Sequence, residues 1–159
     1  MQRRIWLVAA VAFAVSGCAS INPPVDIVDT AAQSPNLTTL SAAIKTAGLT
    51  ATLKGPGPFT VFAPTDAAFK QLPAGALDKL LKNPDQLREV LTFHVISGRV
   101  TAAEVKTGPA KSVQGSPLSL SKAGTFVIVE EASVTQADIA ATNGVIHVID
   151  RVLLPPAKK

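Results

Sequence analysis

The sequence predicts an α+β domain, with most helices in the first part of the folded region and most strands in the last third. Between residues 26 and 94, apolar residues recur at helical spacing behind residues that favour helix starts. After residue 117 the apolar residues form short runs separated by turn residues, which is typical of strands. Because helical and strand segments do not alternate regularly, a sheet built from repeated β-α units is not expected.

The individual elements follow from local patterns. Residues 26–32 predict one or two helical turns, and a second helix is predicted to start at residues 34–36 and to end at Gly48. Thr65 is a predicted N-cap with Asp66 in the first turn of its helix. Further helices are predicted at residues 76–81 and 84–94, with a single turn at 101–105. Strands are predicted at residues 49–53, 59–63, 118–120, 125–129, 132–135 and 145–154, with a turn at 55–58.

The last strand is the most apolar and is expected to be central in the sheet. Alternation along a strand places His147 with Val145 and Ile149 on one face, and the opposite face is also apolar. Asn143 and Gly144 form a tight-turn pair just before it.

Composition excludes several classes of protein. Of 159 residues, 47% are hydrophobic and only 16% are charged, which excludes a disordered chain or a coiled coil. One cysteine excludes an internal disulfide, and two histidines argue against a zinc site made by the protein alone. Tyrosine is absent and there is one tryptophan, which argues against a surface that stacks on nucleic-acid bases.

The first residues have the layout of a secretory signal, with Arg3 and Arg4 before an apolar run at residues 5–15. Eleven residues rise about 16 Å as a helix, roughly half of a ~30 Å hydrocarbon core, so the run does not predict a spanning helix. Residues 15–18 (Val-Ser-Gly-Cys) resemble the lipobox of bacterial lipoproteins. That resemblance implies cleavage before Cys18 and lipid, such as palmitate, on Cys18, which would anchor the protein stably to a membrane.

Cleavage would also lower the positive charge. Removing residues 1–17 takes away Arg3 and Arg4, so the formal net charge falls from +4 to +2. The remaining lysines and arginines are scattered, and nucleic acid is therefore not an expected partner.

Three segments stand out for their order and spacing: TVFAPTDAAF at residues 60–69, LTFHVISG at 91–98 and NGVIHVIDRVLLP at 143–155. Together they resemble the fasciclin-1 (FAS1) domain family. The resemblance implies a compact wedge of β-sheet with several short helices packed against it. It divides the chain into a signal peptide (1–17), a lipidated N-terminus and tether (18–33), the domain (34–156) and a tail (157–159). The matching motif residues, for which structural roles are expected, are Thr65, Asp66, Phe69, His94, Asn143, Gly144, His147 and Asp150.

The family motif often carries tyrosine before its central histidine, where this chain has Phe93. In some animal members this region is linked to integrin binding, and that activity is not carried over to this chain. His94 and His147 are expected to be buried, each with a ring nitrogen bonded to backbone. A ligand-facing role for either histidine, or a metal pair, is the alternative.

Nothing in the residues predicts an enzyme or a cofactor. The chain has no Gly-x-Ser-x-Gly motif, and Glu130 and Glu131 are expected on opposite faces of a strand. Asp66 is expected to act as a charge at a helix start, and Asp150 to pair with Arg151 or with a nearby backbone amide.

The resemblance supports two functions. The first is a non-enzymatic, extracytoplasmic protein, lipid-anchored to the bacterial cell envelope (at the outer membrane or in the periplasm if the source is Gram-negative). It would mediate adhesion by binding a surface protein or a polysaccharide. The alternative is a carrier of an apolar small molecule, such as a carotenoid or another lipid.

Overall fold

The computed structural model describes residues 25–155, so the predictions for the signal segment, for Cys18 and for the tail lie outside the described residues. Within this range the helices are α1 (Ile27–Gln33), α2 (Thr38–Thr46), α3 (Thr50–Leu53), α4 (Asp66–Lys70), α5 (Ala76–Lys82) and α6 (Pro84–Phe93). The strands are β1 (Phe59–Pro64), β2 (Val95–Ser97), β3 (Gly108–Lys111), β4 (Pro117–Ala123), β5 (Phe126–Val129), β6 (Ala132–Ala141) and β7 (Gly144–Ile149). The predicted α+β class is confirmed.

The seven strands form one mixed sheet in the order β2-β1-β7-β6-β5-β4-β3. Only β1 and β7 are parallel, and the other neighbours run antiparallel. Ile96 of β2 also bridges to Ser112, just after β3, so the two ends of the sheet approach each other. The result is a wedge that is close to a closed barrel, with the short helices packed against it.

Strand β7 lies at the centre of this sheet, as predicted. It pairs with β1 on one side and β6 on the other, and all six of its residues are buried. One face contributes Ile146 and Val148 to the core beneath the helices, and the other contributes Ile149 to the core enclosed by the curved sheet. The strand therefore separates two hydrophobic clusters.

Several helix boundaries follow the predicted signals. The Asp26 side chain accepts the Asp29 amide at 2.9 Å and caps α1, and Thr65 caps α4 by accepting the Ala68 amide at 3.2 Å. Gly48 follows α2 with φ +67°. The Leu49 amide then reaches the Ile44 carbonyl at 3.1 Å, the bond that closes a Schellman motif.

The predicted strand at residues 49–53 is wrong, because this segment forms the short helix α3. Leu49 and Leu53 are both buried, and a spacing of four residues places them on one face of a helix as well as on one face of a strand. The Leu53 amide donates to the Leu49 carbonyl at 2.9 Å, which is the hydrogen bond between residues i and i−4 of a helix.

Other strand boundaries also differ from the prediction. The last strand ends at Ile149 rather than residue 154, because Ile149 is the last residue that pairs with either neighbour, with Pro64 at the end of β1 and with Val134 of β6. Strands β2 and β3 were not predicted. The first has only three residues, and the second contains glycine and proline, which are typical of an edge.

Helix α1 belongs to the packed domain. Ile27, Val28 and Ala31 are at most 2% exposed and form part of the core beneath the helices. The packed unit therefore starts before the boundary predicted at Ser34. Within residues 25–155, no helix is both long and apolar enough to cross a membrane.

Candidate interaction surface

The residues of the first motif connect helices to one another. Asp66 is the first residue of α4, but its carboxylate accepts the Thr38 hydroxyl at 2.7 Å and the Thr39 amide at 2.8 Å, at the start of α2. Partial burial acts to raise the pKa of Asp66, but these hydrogen bonds outweigh it and leave the pKa below its usual value. Asp66 is thus a charge at the start of α4, as predicted, and also at the start of α2, which was not predicted. Phe69 is buried in the core beneath the helices.

Asn143 connects three parts of the fold that are distant in sequence. Its side-chain oxygen accepts the Ile27 amide at 3.0 Å, at the start of α1. Its side-chain nitrogen donates to the Leu53 carbonyl at 2.6 Å and to the Gly55 carbonyl at 3.3 Å. Its backbone carbonyl accepts the Phe59 amide at 3.0 Å, at the start of β1. A residue predicted only as a turn former therefore organises the junction between helices and sheet.

His94 is buried and has a backbone partner at each ring nitrogen. Its Nδ1 lies 2.7 Å from the Val90 carbonyl, and its Nε2 accepts the Leu153 amide at 3.0 Å. Since a carbonyl can only accept and an amide can only donate, the neutral ring carries its proton on Nδ1. Complete burial lowers the pKa of His94 to about 4, although the hydrogen bond to Val90 acts in the opposite direction.

This burial predicts a specific loss of stability in mild acid. The unfolded chain takes up a proton on His94 as the pH falls below about 6.5, whereas the folded chain resists protonation down to about 4. The contribution of neutral His94 is therefore complete above pH 6.5 and is lost progressively towards pH 4, by about 3 kcal/mol in total. Urea unfolding measured between pH 7 and pH 4 should show this decline.

The control is His94→Gln, which has no titrating ring. Its free energy of unfolding should fall less steeply with pH in this window, by a slope that corresponds to about one proton fewer taken up on unfolding. An unchanged slope would contradict the assignment.

His147 has the opposite tautomer. Its Nε2 donates to the Val100 carbonyl at 2.8 Å, and its Nδ1 accepts the Asp138 amide at 3.2 Å. Asp138 lies in an irregular part of β6 with φ +57°, and its carboxylate accepts the Ala102 amide at 2.8 Å. The ring also stacks on Phe62, with centroids 5.6 Å apart. Sequence reasoning did not find Asp138, because a bulge leaves little trace in an alternating pattern.

Replacing His147 with leucine should lower the free energy of unfolding by about 2–3 kcal/mol. Leucine fills most of the space but leaves the Val100 carbonyl and the Asp138 amide without their partner. His147→Gln, which carries a donor and an acceptor, should lose less. Urea unfolding of the two variants checks this, and a loss below about 0.5 kcal/mol in the leucine variant would contradict a buried structural role.

Asp150 pairs with a backbone amide rather than with Arg151. Its carboxylate accepts the Ser133 amide at 2.8 Å, and its own amide donates to the Ser133 carbonyl at 3.1 Å. Gln71 donates to the Asp150 carbonyl at 3.3 Å, which ties α4 to the end of β7.

The motif residues therefore act inside the fold. Both ring nitrogens of each histidine are engaged, so a metal ion would have to displace a backbone group. Within residues 25–155, no group of three or more His, Cys, Asp or Glu residues is placed to hold a metal ion. A binding function has to use exposed residues outside the motifs' internal contacts.

One exposed surface combines charge with apolar contact area. We call it the C-terminal cleft, and it is an open cleft of about 310 Å³ between the β5–β6 turn and the segment after β7. Its lining residues are Glu130, Glu131, Ala132, Arg151, Val152, Leu153 and Leu154. The two glutamates lie in the turn, with Glu130 at φ +55°, and not on opposite faces of a strand as predicted.

The C-terminal cleft has one pinned carboxylate and a largely exposed leucine. The Glu130 carboxylate accepts the Ser119 amide at 2.6 Å, which holds it in place. Leu154 is 58% exposed, so an apolar side chain lies on the surface beside the charged groups of the cleft. A second cleft of about 340 Å³ lies near Arg99 and is bordered by Pro56–Pro58 and residues 141–144, whose polar groups are mainly backbone.

Comparison with known proteins places this arrangement in a family. Residues 35–155 match the model of the fasciclin domain. The chain is 46% identical to protein sll1483 of Synechocystis over 90% of this chain and 81% of that protein. It is 34% identical to the cell surface glycolipoprotein MPB83 of Mycobacterium bovis, over 83% of this chain and 61% of that protein.

A solved structure supports the same assignment. The fold resembles the FAS1 domain pair of the insect cell adhesion molecule Fasciclin I, with a TM-score of 0.67 and 18% identity. The match covers 84% of this chain and 52% of the domain pair. Fasciclin I, the protein of that structure, is named as a cell adhesion molecule. The chain belongs to the fasciclin (FAS1) domain family.

Proposed function

We propose that this protein is a lipid-anchored, extracytoplasmic adhesion protein that acts by binding another protein. The observation that carries the proposal is the distribution of its polar residues. The two histidines of the FAS1 motifs hold the fold together, while the C-terminal cleft, lined in part by residues 151–154 of the third FAS1 segment, presents charged groups and an exposed leucine to solvent. A domain of this kind supplies a stable surface for binding.

The lipid anchor rests on the sequence at Cys18. The lipobox-like residues 15–18 support it, and the similarity to a relative named as a cell surface glycolipoprotein is consistent with it. Helix α1 begins at Ile27, so eight residues separate it from Cys18. Eight extended residues span at most about 28 Å, so the domain would be held close to the membrane.

A protein partner fits the C-terminal cleft better than a polysaccharide does. Sugar rings are commonly bound by stacking on aromatic side chains, and the lining residues of this cleft include none. Leu154 together with glutamate and arginine side chains suits a protein surface, in which an apolar centre is bordered by charges.

The experiment is a complementation assay in the source bacterium. A deletion strain is complemented with the wild-type gene, with Cys18→Ala or with Leu154→Ser, and attachment and biofilm formation are measured. We expect loss of membrane retention with Cys18→Ala, and reduced attachment at unchanged protein level with Leu154→Ser. The matched control is Leu81→Ser, because Leu81 is also an exposed leucine (37%) but lies on α5. A deletion strain that attaches as well as its parent would overturn the adhesion function.

A carrier of apolar molecules is not proposed. Aliphatic side chains fill the space between the helices and the sheet, and Leu37, Leu40, Ile44 and Ile146 there are each about 1% exposed. An apolar ligand in this space would have to displace packed side chains.

A further inference from the structure

The Asn143–Gly144 pair is a chemically labile dipeptide at a critical position. Asparagine is a thermolabile residue type, and glycine after it removes the side chain that would otherwise hinder attack by the next backbone nitrogen. We propose that Asn143 is a deamidation site that the folded domain protects, and that a chain deamidated while unfolded refolds to a less stable domain. The fraction of chains deamidated at Asn143 would thus increase with the time that the chain spends unfolded.

The reaction needs only water. The Gly144 backbone nitrogen attacks the side-chain carbonyl carbon of Asn143 and forms a five-membered succinimide. The bond from that carbon to the side-chain nitrogen breaks, and ammonia leaves with the proton of the Gly144 amide. Water then opens the ring at either carbonyl, which gives aspartate or isoaspartate at position 143.

The folded structure opposes the first step because it restrains every group that must move. The Asn143 side chain is bonded at both ends, to the Ile27 amide and to the Leu53 and Gly55 carbonyls. Its backbone carbonyl is bonded to the Phe59 amide. Rotation of the side chain towards the Gly144 nitrogen would break these contacts.

Close packing around Gly144 adds to this protection. Gly144 is buried and paired with Phe59 in the parallel ladder between β1 and β7. Even a single added carbon on Gly144 would lie 2.9 Å from Ile27 Cδ1 and closer still to the Phe59 carbonyl group. The backbone therefore has no room to change conformation until the junction opens, so the native rate should follow the open population.

Neither product can restore the native contacts. In aspartate, a carboxylate oxygen replaces the nitrogen that donates to Leu53 and Gly55, so acceptors face acceptors. In isoaspartate, the backbone gains a methylene in the turn between β6 and β7. The junction that joins α1, α3 and β1 is therefore weaker around either residue.

The same chain supplies an internal control. Asn36 is exposed and is followed by Leu37, whose branched side chain hinders the same attack. If deamidation is specific to the Asn143–Gly144 pair, Asn143 should react faster than Asn36 in the unfolded chain. Peptide mapping measures the two rates separately.

The test compares folded and unfolded protein. The purified full chain in detergent is held at pH 8 and 37 °C, with and without 8 M urea, and the mass increase of about 1 Da is followed in the peptides that contain Asn143 and Asn36. We expect Asn143 to deamidate at least about tenfold more slowly in the folded chain than in urea, with Asn36 slow in both. After removal of urea and refolding, the deamidated fraction should unfold at a lower urea concentration than the unmodified chain.

A destabilised variant provides a second measurement. Leu87→Ala removes a side chain that is 1% exposed in α6, away from Asn143 in sequence, and so raises the unfolded population. Deamidation of Asn143 without urea should accelerate in this variant. Equal rates in the folded and unfolded wild-type chain, or a deamidated chain that refolds with wild-type stability, would overturn the proposal.

Discussion

Replacing Gly144 with alanine is expected to lower the free energy of unfolding by at least about 4 kcal/mol, which is most of the stability of a domain at the lower end of the usual range of about 5–15 kcal/mol. The added carbon would lie 2.8 Å from the Phe59 carbonyl carbon and 2.9 Å from Ile27 Cδ1, and closer still to the Phe59 oxygen. The obstacle is mainly backbone in the ladder between β1 and β7, so it cannot be relieved by turning a side chain.

The matched control for this substitution is Gly124→Ala. Gly124 has φ +64° and nothing within 4 Å of an added carbon, so alanine there meets only the strain of a left-handed conformation. That strain costs about 1–2 kcal/mol. Circular dichroism and urea unfolding should show a Gly124→Ala protein that unfolds slightly below the wild-type midpoint and a Gly144→Ala protein that unfolds at a much lower urea concentration. A Gly144→Ala protein as stable as the control would contradict the close approach of β1 and β7.

Replacing Asn143 with alanine is expected to cost about 3–4 kcal/mol. The substitution removes three hydrogen bonds at once and leaves the Ile27 amide and the Leu53 carbonyl without that partner. Each buried group left unpaired costs about 1–3 kcal/mol, and partial access of water at this half-buried site keeps the total below a simple sum. Urea unfolding at pH 7 measures the loss.

Two further variants separate the contributions at this position. Asn143→Asp keeps an acceptor for the Ile27 amide but loses the donor to Leu53 and Gly55, and we expect it to lose about half as much stability as alanine or more. Asn83→Ala is the control, because Asn83 is exposed and its side-chain nitrogen donates to the Lys79 carbonyl at 2.9 Å without joining distant parts of the fold. It should change stability by less than about 0.5 kcal/mol. Equal effects at positions 83 and 143 would contradict the role of Asn143 as a junction.

Local signals in the sequence predicted much of the fold. Thr65 was identified as an N-cap and Gly48 as a helix stop, because capping depends on residues adjacent in the chain. The central position of β7 was predicted because both faces of the strand are apolar. Residues 49–53 were mispredicted because leucines four residues apart satisfy either period, and only the packing of Leu49 and Leu53 beneath the helices decides between them.

The candidate surface was harder to predict than the motifs. The motif residues were located from resemblance, and their structural roles at His94 and His147 were expected. The C-terminal cleft was not predicted, since it brings Glu130 and Glu131 beside Arg151 and Leu154, some twenty residues further along the chain. No pattern within a short segment of the sequence indicates that these residues lie close together in space.

The sequence by itself determined the family, the apolar periodicity of most helices and strands, the N-cap at Thr65 and the helix stop at Gly48. These properties depend on residues that are close together in the chain, or on short motifs that can be recognised in the sequence. Only the tertiary structure decided that Asp66 caps α2, that Asn143 joins α1 and α3 to β1, and that the two histidines hold opposite tautomers. The physical reason is that these roles depend on hydrogen bonds between groups far apart in the chain, from 27 residues for Thr39 and Asp66 to 116 for Ile27 and Asn143, and the packing of the whole sheet sets those partners.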